Sequence, residues 1–169
     1  MAHQETPAGP AKLWRELTTE QRLALSQALW ADTDSVPQQI EAVQLIARQL
    51  RFRPQSVLSQ PVEKRVRQLA HLLQVSEGVA NRALVVYHLG VQRPMLEAFL
   101  NRLGIPHKDG MIADAATAAP DPAALRTAAL ALAGEFPVES VRLYLRTLAA
   151  QDPETWLPLA EIATDLPVS

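Results

Sequence analysis

Residues 87–112 read "YHLGVQRPMLEAFLNRLGIPHKDGMI", and the punctuation of this stretch decides the fold class. Gly90 follows an apolar run, Pro94 opens the next one, and Gly104 follows that. A proline at the first helical position loses nothing, because its missing N–H would be unpaired there and its φ is already helical. A glycine just past the last turn takes the left-handed conformation that closes a helix. Ile105-Pro106 then imposes an extended dipeptide, and Asp109-Gly110 is a strong turn signal.

The same marks recur along the chain. Seven of the thirteen prolines stand at expected helix starts: Pro37, Pro54, Pro61, Pro94, Pro122, Pro137 and Pro153. Asp121 and Asp152 precede two of them as capping residues. Gly90, Gly104 and Gly134 mark expected ends. Thr18-Thr19-Glu20-Gln21 has the form of a capping box. The spacing predicts helices over Thr19–Trp30, Val36–Arg51, Pro61–Leu73, Glu77–Leu89, Pro94–Leu103, Pro122–Ala133, Pro137–Ala150 and Pro153–Ala163. A turn is expected near Pro54–Ser59, and no segment has the pattern of a strand. Alanine (27) and leucine (25) dominate the composition, which favours helix because both give up little side-chain entropy there. The expected fold is all-α: a compact multi-helix bundle of about eight or nine short helices with a C-terminal helical extension.

Residues 11–110 are expected to form the body, 120–169 an acidic Ala/Leu-rich helical tail packed on the body or on a second copy, and 1–10 a disordered lead. "IADAATAAPD", Ile112 to Asp121, is the linker candidate. On Pro61–Leu73, helical phase puts Val62, Val66, Leu69 and Leu73 on one stripe, with Lys64, Arg67 and His71 opposite. Glu77–Leu89 is apolar nearly all round and is expected to be central. Trp14, Trp30 and Trp156 read as core or interface anchors.

A formal net charge of -2 hides a strong asymmetry. Residues 48–108 hold ten basic and three acidic side chains, a net +7; residues 109–169 hold three basic and nine acidic, a net -6. The whole-chain pI near 6.1 is far from that of a typical DNA-binding domain. With no cysteine, disulfides, thiolate metal sites and cysteine nucleophiles are excluded. No signal pattern or long apolar run points to a membrane, so a soluble, cytoplasmic protein is expected.

Three kinds of site follow from these residues. His71, His88 and His107 recur every 17 to 19 residues. With Asp109 they offer nitrogen and oxygen metal ligands, but no His-x3-His pair holds two on one helical face, so no metal and no cofactor is expected. His107-Lys108-Asp109, at the tip of a rigid loop, together with His88 and Arg93, are candidates for binding a small ligand, with His107 beside Asp109 as an oriented base. No serine or cysteine nucleophile adjoins them. Arg51, Arg53, Lys64, Arg65 and Arg67, again with Arg93, are the candidates for meeting nucleic acid. Against that, the basic block has few aromatics and no Gly-rich phosphate cradle. The leading expectation is a non-enzymatic protein–protein interaction or structural module that self-associates, a homodimer being its simplest form; nucleic-acid binding and a small-ligand or enzymatic site are the alternatives.

Overall fold

The computed structural model describes residues 9–113 and 119–167. The chain is all-α, with ten helices and one two-stranded ribbon among the described residues. The helices are α1 (Pro10–Glu16), α2 (Thr19–Ala31), α3 (Val36–Leu50), α4 (Pro54–Leu58), α5 (Val62–His71), α6 (Glu77–Val91), α7 (Arg93–Arg102), α8 (Pro122–Glu135), α9 (Val138–Gln151) and α10 (Pro153–Asp165). The ribbon pairs β1 (His107–Lys108) with β2 (Met111–Ile112).

The proline reading places starts well: all seven prolines lie between the cap and the second helical position. The capping box at Thr18 forms on both sides, with Gln21 N–H donating to Thr18 Oγ1 and Thr18 N–H to Gln21 Oε1. The expected glycine ends divide. Gly104, at φ 66°, does turn left-handed, but Gly90 and Gly134 lie inside α6 and α8, which run on past them. The left-handed close of α3 falls instead to Arg51, at φ 56° and ψ 38°, whose N–H reaches back to the Ala47 carbonyl. The turn expected near Pro54 tightens into α4. Half of the linker candidate, residues 114–118, lies outside the described residues, and so does most of the expected disordered lead, although Pro10 already opens α1.

Two compact units divide the chain, one from Pro10 to Val91 and one holding the described residues from Gln92 onward. In the first, α2 packs against α5 and α6, α1 lies along α6, and α3 contacts α4, α5 and α6. Leu25, Leu29, Ile46, Leu69 and Leu84 are fully buried there. Trp14 is buried as well, its indole Nε1–H donating to the Leu72 carbonyl at 2.8 Å, which ties α1 to the end of α5. Glu77 on α6 accepts from the Ala11 N–H, satisfying one of the donors that a helix start leaves open. Arg22 is also buried. Its guanidinium donates to the carbonyls of Ala70 and Leu17, so a charged side chain closes the ends of two neighbouring segments. Val66 and Leu69 keep the inward phase expected of α5, whereas Val62 and Leu73, at the two ends of that stripe, are about half exposed.

In the second unit α7 packs on α8, and α9 lies along α10. The boundary places α7 with α8–α10, where the sequence reading groups it with residues 11–110. Leu125, Ala129, Leu132, Val141, Tyr144 and Leu145 are buried, as the helical phase requires. Phe99 meets Tyr144 edge-to-face with centroids 5.6 Å apart. Arg142 repeats the device of Arg22, donating to the Ala163 and Leu166 carbonyls at the end of α10. Arg102 pairs with Glu135 between α7 and α8.

One core position carries a cost. Ser26 is fully buried on α2, and its hydroxyl has no hydrogen-bond partner among the described residues. A buried hydroxyl left unsatisfied costs about 1 to 3 kcal/mol. Ser26→Ala removes the hydroxyl and nothing else of size, so it should stabilise the chain by about 1 kcal/mol in urea unfolding. A loss of stability would show that the hydroxyl is satisfied in solution.

Candidate functional site

The Asp109-Gly110 turn is the two-residue hairpin loop in which both central residues have positive φ, 53° and 87°. The strands it joins are two residues long, too short to leave a periodic trace in the sequence. Ile105 is buried and anchors the approach to the ribbon, while Pro106 O accepts from Ala113 N–H at 3.1 Å and extends it.

His107 stands at the base of the turn with both ring nitrogens engaged. Its Nδ1 accepts from the Gly110 N–H at 3.2 Å, so the proton sits on Nε2, which donates to Asn101 Oδ1 at 2.8 Å. The ring thus clips the turn to the end of α7. Among the described residues no hydrogen bond joins His107 to Asp109, so the base-and-orienter pair expected from the sequence is not assembled. Lys108 and Asp109 are exposed on the ribbon, and Arg93 is exposed at the first position of α7.

His88 is buried on α6, in the other compact unit. Burial pushes its pKa from 6.5 down to about 3, so it is neutral at pH 7. His71 is exposed at the last position of α5. Among the described residues no three side chains of the metal-binding types come together.

A serine, a carboxylate and an arginine do converge, at a place the sequence reading missed. Ser35 Oγ donates to Asp32 Oδ2 and accepts from Arg82 Nε at 2.7 Å, while Arg82 also bonds Asp32 at 3.0 Å. Gln39 completes the clasp by donating to the Leu29 and Asp32 carbonyls. The Ser35 hydroxyl and, with it, the Arg82 guanidinium hold the Asp32 carboxyl below its usual range, against the opposing effect of burial. Ser35 is fully buried and its hydroxyl is used in both directions, so this cluster fixes the α2–α3 connection to α6 and presents no nucleophile. Asp32 and Ser35 carry a local signal, three residues apart at a turn; Arg82, fifty residues away from Asp32, carries none.

A dense group of open cations lies around α3, α4 and α5. Arg48, Arg51, Arg53, Lys64 and Arg67 are all exposed, and none of the five takes part in an ion pair among the described residues. The ion pairs there use Arg82, Arg102, Arg126 and Arg142 instead. Arg65 differs from its neighbours. It is half-buried, with its guanidinium 5.9 Å from the centre of the Trp30 ring, a cation–π arrangement. The stretch from Arg48 to Arg67 exposes four large apolar side chains: Leu50 (39%), Phe52 (48%), Leu58 (52%) and Val62 (46%). Its single acidic residue is Glu63.

The backbone near the start of this stretch is strained. A left-handed residue other than glycine costs about 1 to 2 kcal/mol, and Arg51 bears that cost where glycine would relieve it. The sharp turn sets Arg51, Phe52 and Arg53 between α3 and α4, all three exposed. Comparison with protein-family models, with curated proteins and with solved structures gives no match to this chain. No helix among the described residues is long and apolar enough to cross a membrane.

Proposed function

We propose that this chain is a non-enzymatic interaction module, and that its working surface is the α3–α5 span from Arg48 to Arg67. The observation that carries this reading is five exposed cations, none of them ion-paired among the described residues, interleaved along the sequence with four exposed apolar side chains. Protein interfaces are built in this way, with an apolar centre and arginine-rich surroundings. The alternative chemistry has less to stand on: the nitrogens of His107 are engaged in its own turn, His88 is buried and neutral, and Ser35 is locked in the clasp. The strain at Arg51 supports the same surface, because a residue kept where glycine is less strained points to a use beyond folding.

The test separates stability from binding. At low ionic strength the chain should bind fluorescent polyglutamate, and added salt should weaken the complex by screening. Replacing Arg51, Arg53, Lys64 and Arg67 together by Glu should abolish binding and leave the far-UV dichroism unchanged. Arg51→Gly should raise the unfolding free energy by about 1 kcal/mol, through relief of the left-handed strain, while weakening binding. Undiminished binding by the fourfold variant would remove this surface from consideration.

A further inference from the structure

The geometry points to an acidic polypeptide carrying large apolar side chains as the occupant of the α3–α5 surface, an inference that rests on the reading just given. Two groups of cations, Arg48, Arg51 and Arg53 around the α3–α4 turn and Lys64 with Arg67 on α5, accompany the exposed Leu50, Phe52, Leu58 and Val62 along the sequence. Residues three apart lie on one side of a helix, so Lys64 and Arg67 act together on α5, while Arg48 sits on the last turn of α3 and Arg51 at its left-handed close. A matching ligand carries both carboxylates and apolar side chains.

The apolar residues decide between polypeptide and nucleic acid. Single-stranded nucleic acid is held by aromatic platforms on which bases stack, and Phe52 is the one aromatic residue exposed in this span. Leu50, Leu58 and Val62 offer no stacking surface. Interfaces with duplex DNA are more polar than protein interfaces, which also disfavours three exposed aliphatic side chains. An acidic polypeptide uses both halves of the surface: its carboxylates meet the guanidinium and ammonium groups, and its Leu or Phe side chains cover the aliphatic ones.

Fluorescence anisotropy on the full chain tests this with four probes. They are a labelled peptide of alternating Glu-Asp and Leu-Phe pairs, the same peptide with Leu and Phe replaced by Ser, a single-stranded oligonucleotide and a duplex. The apolar acidic peptide should bind about tenfold or more tighter than its Ser counterpart, the difference expected for covering even one or two exposed apolar side chains. Phe52→Ser with Leu58→Ser should erase that difference while leaving the salt dependence in place. Equal affinity for the two peptides would overturn the inference, as would an oligonucleotide binding more tightly than the apolar peptide. In both of those cases the fourfold Glu variant would still lose binding, so the α3–α5 surface would stand and only the partner class would fall. If no probe binds, or if binding survives in the fourfold variant, the surface itself is wrong. Sedimentation of the chain alone covers the last case: self-association abolished by the fourfold variant would assign the surface to a second copy and overturn the inference.

Discussion

Acidifying the chain from about pH 7 to about pH 5 should cost it about 2 kcal/mol of stability, and His88 should be the reason. The folded pKa of His88 lies near 3, while an unfolded histidine titrates at 6.5. Between those values the unfolded chain takes up a proton that the folded chain does not. Stability is therefore greatest above pH 6.5 and falls as the pH drops toward 3, at about 1.4 kcal/mol per pH unit. Urea unfolding at a series of pH values checks this in the intact chain and in His88→Gln. The variant should start from a different stability, but its curve between about pH 7 and about pH 5 should be flatter by about 2 kcal/mol. Parallel curves would mean that His88 meets water in the folded chain. Asp32 acts lower on the scale. Its depressed carboxyl adds stability that is present above the unfolded value of 3.8 and lost as the pH falls through its folded pKa, so the two contributions separate along the curve.

Trp14→Ala should cost about 4 kcal/mol, the largest effect expected of a single substitution here. Deleting a fully buried tryptophan removes its transfer free energy and leaves a cavity, about 3 to 5 kcal/mol together. The Leu72 carbonyl also loses the indole N–H that it accepts from. Trp14→Phe isolates the second contribution, keeping most of the apolar contact while losing the hydrogen bond, and should cost about 1 to 2 kcal/mol. Unfolding followed by far-UV dichroism reads both. A loss below about 1 kcal/mol for Trp14→Ala would mean that α1 does not dock as described.

Helix starts were the most legible feature of the sequence, because proline and the Thr18–Gln21 box act through the first turn alone and need no tertiary context. Ends were less so. Glycine permits the left-handed conformation but does not impose it, and α6 and α8 continue through Gly90 and Gly134. Arg51 shows the converse, a left-handed close made by a residue whose type gives no sign of it. Helix α1 is seven residues long and is held by Trp14 to Leu72 and by Ala11 to Glu77, contacts reaching 58 and 66 residues along the chain. Its stability is tertiary, so no local pattern announces it.

The candidate site was legible in part for similar reasons. Charge counting singled out the block holding Arg51, Arg53, Lys64, Arg65 and Arg67, but it could not separate Arg65, set over Trp30, from its exposed neighbours. Nor could helical phase foresee that Val62 stands in the open, since it assigns residues to a side of the helix without saying how far the neighbouring helices reach. The histidines misled through proximity in sequence. His88 and His107 belong to different compact units, and His107 is engaged by Gly110 and Asn101, neither of which looks reactive.

Hydrogen–deuterium exchange of the full chain, with and without the apolar acidic peptide, tests the central claim most directly. Added protection should gather between residues 48 and 67, over the end of α3, α4 and the start of α5, and should vanish in the fourfold Glu variant. Protection centred on the His107–Ile112 ribbon, with 48–67 unchanged, would contradict it.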